Sequence, residues 1–106
     1  MFVCLEVAHE AVQLIGPIVR VVAAADRNLG EQIKRAAVSI ISNIDEGAAH
    51  TDRVRAHHYR LAYGSAREVR SQLRVAVAWG YVDAPATAAP LALLDRTCGL
   101  LWGLIV

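Results

Sequence analysis

The chain is predicted to fold as an all-α, up-down-up-down bundle of four helices. Three observations predict it. Apolar residues recur at helical spacing through four segments, and these are parted by short stretches rich in Gly, Pro and polar residues. No stretch alternates apolar and polar residues with the period of two that a half-buried strand requires. The hydrophobic content of 56% is carried by Ala, Val and Leu, with aromatics at only 6%, a mix that suits closely packed helices. A length of 106 residues fits one domain.

The first helix is expected over residues 4–24. Its polar or breaking residues Glu6, Glu10, Gln13, Pro17 and Arg20 form a narrow stripe, and the wide apolar arc that remains predicts burial on more than one side. Pro17 removes a backbone hydrogen bond, so a kink or short break is expected near Gly16-Pro17. After a polar connection, Asn28 with Glu31 three residues on has the form of a capping box. It opens a second helix over 29–46, with Leu29, Ile33, Ala36 or Ala37, Ile40 and Ile44 inward and Gly47 as its stop.

Thr51 is placed to cap a third helix over 52–79, where Asp52 meets the positive end of the helix dipole and Gly80 ends the run. Its inward face is expected to hold Val54, His58, Leu61, Ala62, Ser65, Val69, Leu73 and Ala76. Residues 83–90 read as a linker, and Pro90 fits the first turn of a fourth helix over 88–105. That helix turns Leu91, Leu94, Cys98, Leu101 and Ile105 inward and lines a second face with Ala92, Gly99 and Gly103, small enough for a close neighbour. The connections are short, which favours antiparallel neighbours. The apolar end Leu104-Ile105-Val106 predicts cover by a partner subunit.

Charge is unevenly spread. The formal net charge is +1, less than most non-specific nucleic-acid binders carry. Residues 52–80 nevertheless hold six arginines against Asp52 and Glu68, so the rest of the chain is net acidic. Four of the six, Arg53, Arg60, Arg67 and Arg74, stand seven residues apart. On a helix they share one face over about 31 Å, opposite Ser65, Val69 and Ala76. Two readings follow. A solvated face tolerates arginine well, while a phosphate-tracking stripe would use Arg53, Arg60, Arg67, Arg70 and Arg74 to bind RNA or DNA. No aromatic residues interleave the ladder to form a stacking platform.

Other chemistry is sparse. No catalytic constellation is expected: no serine has a convincing His-Asp partnership, and neither cysteine sits near a histidine in the predicted layout. Cys4 and Cys98 match no zinc or redox spacing and read as reduced, buried thiols, although a disulfide between them is geometrically open. The adjacent His57 and His58 point to different faces and chelate poorly even with Glu46 near, so no metal and no cofactor is expected. His58 is placed at the core edge and His57 in solvent. The apolar N-terminus lacks a basic leader, and the apolar run 98–106 is too short to span a bilayer. A soluble, cytoplasmic protein without a membrane partner is therefore expected.

The run Ser39-Ile-Ile-Ser-Asn43-Ile-Asp-Glu46-Gly47, followed by Gly64-Ser65-Ala-Arg-Glu68, Gln72-Leu73 and Gly80-Tyr81, resembles the four-helix-bundle family of bacterial ribosomal-RNA intervening-sequence proteins. That family is similar to the accessory proteins of diversity-generating retroelements, which bind nucleic acid and reverse transcriptase. The motifs cover about residues 33–82. Asp45 replaces a residue that is usually small, and the turn after Gly47 is less basic than in the family. The resemblance implies a four-helix bundle, a homo-pentamer and no catalytic activity.

With helices two and three antiparallel, facing residue numbers sum to about 100. An interhelical polar network of Gln32, Arg35, Asn43, Glu46, Ser65, Glu68 and Gln72 is expected at the core edge, where it would set helix register. Two functions are thus compatible with the residues. One is a non-enzymatic oligomer that binds RNA, DNA or a nucleoprotein through the third helix. The other is a structural or protein–protein interaction module with no nucleic-acid role.

Overall fold

The computed structural model describes residues 2–106, and they form four helices: α1 (Val3–Ala25), α2 (Arg27–Ala48), α3 (Asp52–Ala78) and α4 (Ala84–Ile105). No strand forms among the described residues. A 27-residue helix such as α3 is about 40 Å long. The molecule measures 42 × 22 × 20 Å, so successive helices must fold back side by side. Each packs on two neighbours in the cyclic order α1, α2, α3, α4 and back to α1. The interior is filled by Ile15 and Val22 of α1, Ile33, Ile40 and Ile44 of α2, Val69 and Leu73 of α3, and Leu94 and Leu101 of α4. Their recurrence every three to four residues is the periodicity that predicts the bundle.

Several local expectations are corrected. Helix α1 runs unbroken through Gly16-Pro17. Pro17 lies on the exposed side, so the carbonyl that loses its donor is left near water. The connection to α2 shrinks to Asp26, which replaces Asn28 as the cap: its carboxylate accepts the Leu29 N–H at 3.0 Å. Thr51 occupies the N-cap position of α3 but its side chain caps nothing, and Asp52 takes a left-handed φ of 52°, which Asp tolerates better than most residues. Val54 and Leu61 point outward, and Tyr59 and Ala66 take the inward places instead.

Gly80 does end α3. With φ of 77° it lets Gly80 N–H reach the Val77 carbonyl and Tyr81 N–H reach the Ala76 carbonyl, the double closure of a Schellman turn. Helix α4 begins at Ala84, earlier than expected. Pro85 stands in its first turn, and Pro90 is buried inside the helix. The Thr87 and Thr97 hydroxyls are buried and donate to the carbonyls of Ala84 and Leu93. Such back-bonding satisfies a hydroxyl that has no other partner in an apolar wall.

Gly47 is not a stop. It lies within α2, buried, and a Cβ there would meet the Tyr59 ring at 2.6 Å. Gly30 plays the same part between α2 and α1, where a Cβ would meet Ala23 at 2.7 Å. Gly64, Gly99 and Gly103 have open space where a Cβ would stand, so no described neighbour uses them.

Helices α1 and α4 are each long and apolar enough to cross a membrane by length and composition, beyond the nine-residue run considered in sequence. Each contributes one stripe to the core and leaves other apolar residues outside. Val3, Leu14 and Val21 of α1 are exposed, as are Val38 of α2, Trp102 and Leu104 of α4, and the terminal Val106.

Cys4 and Cys98 are free and buried. Burial, with a smaller push from the neighbouring Cys98, raises the Cys4 thiol to about 11; burial raises Cys98 as well. The folded protein should therefore resist iodoacetamide at neutral pH and take two labels per chain once urea opens the core, as intact-mass spectra would read. Gly47→Ala should lower stability in urea unfolding by about 1–2 kcal/mol, because overpacking the Tyr59 ring outweighs the helix preference of Ala over Gly.

Candidate functional site

The arginine ladder occupies the outward face of α3. Arg53, Arg60, Arg67 and Arg74 are all exposed, while Val69, Leu73 and Ala76 on the opposite side are buried. Among the described residues, Arg53, Arg60, Arg67 and Arg74 meet no carboxylate within ion-pair distance, and the pairs that do form are His50–Glu46 and Arg70–Asp95. Arg70 thus stands apart from the ladder. Its guanidinium meets the Asp95 carboxylate of α4 at 2.7 Å, which holds it above the usual arginine range. Arg55 is likewise engaged, donating from Nε to the Gly47 carbonyl at 3.3 Å.

An aromatic step adjoins the ladder, a feature not foreseen in sequence. The Arg67 guanidinium lies 5.9 Å from the centre of the Tyr63 ring, and Tyr63 in turn lies 5.7 Å from Trp102 of α4. Trp102 is 55% exposed. Tyr63 and Arg67 are four apart on α3 and so share a face, but only tertiary packing brings Trp102, more than thirty residues further on, beside them.

The α2–α3 seam is polar in its middle. Ser39 and Ser65 share a hydroxyl hydrogen bond of 2.9 Å across the helices. The Asn43 amide donates to the Ser39 carbonyl at 3.0 Å and to the Ser39 hydroxyl at 3.1 Å. Its oxygen faces His58 Nδ1 at 3.0 Å. Facing residue numbers sum to 104 for Ser39–Ser65 and 101 for Asn43–His58, slightly more than expected. Of the seven residues assigned to this network, Asn43 and Ser65 lie in it.

Gln72 is buried and donates from Nε2 to Glu68 on its own helix at 3.2 Å, while its Oε1 has no partner among the described residues. Gln32 and Arg35 are exposed and line a shallow cleft with Ser39, Ser65 and Glu68, without a hydrogen bond between them. Glu46 pairs with His50 at 3.0 Å at the end of α2. Ser39 and His58 were missed as network members. Their signal was the i, i+4 spacing of Ser39 and Asn43, together with the placement of His58 at the core edge.

His57 is exposed and His58 half-buried. The pair that approaches is not His57–His58 with Glu46 but His50–His58 with Glu46, whose ligand atoms lie within 4.8 Å of one another. This grouping was not expected, because His50 falls in the turn where helical spacing gives no guide.

A family model described as 23S rRNA-intervening sequence protein matches residues 4–103. No curated protein matches the chain. Among solved structures, the chain is similar to a crystal structure of a protein of unknown function from the S23 ribosomal protein family of Bacteroides thetaiotaomicron. The TM-score is 0.86 at 18% identity, covering 96% of this chain and 97% of that one. At that identity the likeness establishes the fold.

Removing the amide of Asn43 strands partners on both sides. Asn43→Leu should destabilise the protein by about 1–3 kcal/mol in chemical unfolding, because His58 Nδ1 and the Ser39 groups lose their partner. Gln32→Ala and Arg35→Ala, on the exposed cleft, should stay within about 0.5 kcal/mol of the parent in the same measurement.

Proposed function

The chain belongs to the 23S rRNA-intervening sequence protein family, and from that premise we propose that it is a non-enzymatic, self-assembling protein that holds a nucleic-acid backbone on α3. The observation that carries this reading is the row of four exposed guanidiniums free of carboxylate partners on the outward face of α3. Arginine presents a planar fork to phosphate oxygens, and a row of them along a straight helix can follow a backbone without reading its bases. Trp102, packed at a tilt against Tyr63, whose ring also carries the Arg67 guanidinium, offers a face on which an unpaired base can stack. The preferred ligand is accordingly single-stranded or locally opened nucleic acid.

Self-assembly is supported on the opposite side of the bundle. Val3, Leu14 and Val21 of α1 are exposed, and the exposed Val38 of α2 lines a cleft with Val12, Gly16 and Val19 that Arg20 and Lys34 flank. A second copy would cover them, and the pentamer that the sequence resemblance implies would repeat the α3 stripe five times around one assembly. Repetition raises avidity while each chain keeps a net charge of only +1. The buried, reduced cysteines suit a cytoplasmic location.

A second reading, a docking module for a protein, draws on Val54 and Leu61. They are 48% and 45% exposed and follow Arg53 and Arg60 directly. A partner that used them would leave RNA unbound.

Fluorescence anisotropy with a labelled RNA and a DNA of the same sequence, across a salt series, separates the two. With four phosphate contacts on single strands, the slope of log K against log salt should be about −3, and Arg60→Glu with Arg67→Glu should flatten it by about half. Trp102→Ala should weaken single-strand binding by about 1–3 kcal/mol with little change in slope. No binding at low salt would leave the protein-docking module.

A further inference from the structure

The turn between α2 and α3 gathers three groups that the nucleic-acid reading does not use: Glu46 in the last turn of α2, His50 just beyond it, and His58 in the second turn of α3. We propose that Glu46, His50 and His58 form a binding site for a divalent cation of the zinc class, one that clasps α2 to α3.

The distances suit such an ion. One ligand atom from each of the three residues lies within 4.8 Å of the others. His50 Nε2 and Glu46 Oε1 stand 3.0 Å apart, sharing one proton. Two ligands of a tetrahedral zinc with bonds of about 2.0–2.1 Å are separated by about 3.3 Å. Exchanging that proton for the metal therefore widens this pair by only about 0.3 Å. The His50 and His58 ring centroids are 5.9 Å apart, and both rings must turn out of their stacked arrangement to aim a nitrogen at one ion.

The protonation of His58 is dictated by its neighbours. The Ser39 carbonyl can only accept, so the end of Asn43 that touches it at 3.0 Å is the NH2 group. The other end, the amide oxygen, can also only accept, and it faces His58 Nδ1 at 3.0 Å. Nδ1 must then carry the proton. In the neutral ring Nε2 is left with its lone pair, the form that binds a metal. A histidine held through its second nitrogen by an amide or carboxylate oxygen is the usual supporting arrangement at metal sites. The Ser65–Ser39–Asn43 chain behind it anchors that orientation to both helices.

The local field also favours a cation. Glu46 and His50 lie at the C-terminal end of α2, the negative end of its dipole, and the Glu46 carboxylate offsets the Arg55 guanidinium that donates to the Gly47 carbonyl nearby. Two imidazoles and one carboxylate suit zinc, nickel or copper and are a poor set for magnesium or calcium, which take oxygen ligands. Three protein ligands leave one tetrahedral position for water or an anion.

Isothermal titration of tag-free, chelator-stripped protein with zinc chloride tests the site. One zinc per chain should bind, magnesium chloride should give no comparable heat, and EDTA should reverse the binding. His50→Ala and Glu46→Gln change exposed residues outside the core and should keep the fold, as circular dichroism would confirm. Each should weaken zinc by about tenfold or more, whereas His57→Ala should leave it nearly unchanged. Cobalt substitution should give the visible bands of a four-coordinate site in the parent and lose them in His50→Ala. Absence of zinc binding at millimolar concentration overturns the proposal. So does binding that survives in His50→Ala and Glu46→Gln, or that is lost equally in His57→Ala.

Discussion

The close approach of α2 and α3 is the constraint on which the other features rest. At one end Gly47 lets the Tyr59 ring lie against the α2 backbone, closer than any side chain would permit. In the middle the Ser39–Ser65 and Asn43–His58 contacts pair polar groups that would be costly to leave unmade at a half-buried seam. Apolar packing alone would tolerate sliding α3 along α2, since buried apolar residues recur every three to four positions along both helices. The polar pairs do not tolerate it, because a shift of one turn would separate each donor from its acceptor. Register fixed in this way also fixes rotation. It turns Val69, Leu73 and Ala76 into the core and, by the geometry of 3.6 residues per turn, the seven-residue arginine repeat outward.

The far end of the bundle is closed by one carboxylate. Asp26 caps α2 through Leu29 N–H, and its second oxygen accepts the Tyr81 hydroxyl at 3.2 Å, so the α1–α2 junction is tied to the α3–α4 connection. Tyr81 is delivered there by the left-handed Gly80 and the Schellman closure of α3. Between the two ends, Arg70–Asp95 joins α3 to α4 along an exposed edge. Such a pair contributes little to stability, but it removes one guanidinium from the surface available to a ligand.

The helices and most of their buried positions were legible in the sequence because the apolar period is strong and holds through each segment. Errors cluster where a local rule met tertiary packing. Gly47 reads as a helix stop by local convention, yet Tyr59 needs the space above it. Asn28 reads as a cap, but Asp26 stands nearer the true helix start and serves two partners at once. Leu61 reads as core by hydrophobicity and lies on the outside. The ladder was legible because it is local to one helix. Trp102 beside Tyr63, and His50 beside His58, were not, since each pair depends on how elements distant in sequence or parted by a turn come together.

Net charge is a poor guide to what this surface attracts. A charge of +1 over the whole chain sums a basic α3 with acids distributed elsewhere, including Glu6, Glu10, Glu31, Asp45 and Asp83. A ligand at the surface feels the groups within about a Debye length, roughly 8–10 Å at physiological salt, rather than the sum. Along α3 those near groups are successive exposed arginines, each about 10 Å from the next. At that spacing neighbouring guanidiniums repel one another weakly in salt, so the row costs the fold little. A polyanion laid along the helix meets them one after another and gains from each. The ladder is thus tolerable to the fold as an ordinary solvated face, and in the proposed assembly the exposed apolar residues of α1 and α2 would decide how many such faces act together.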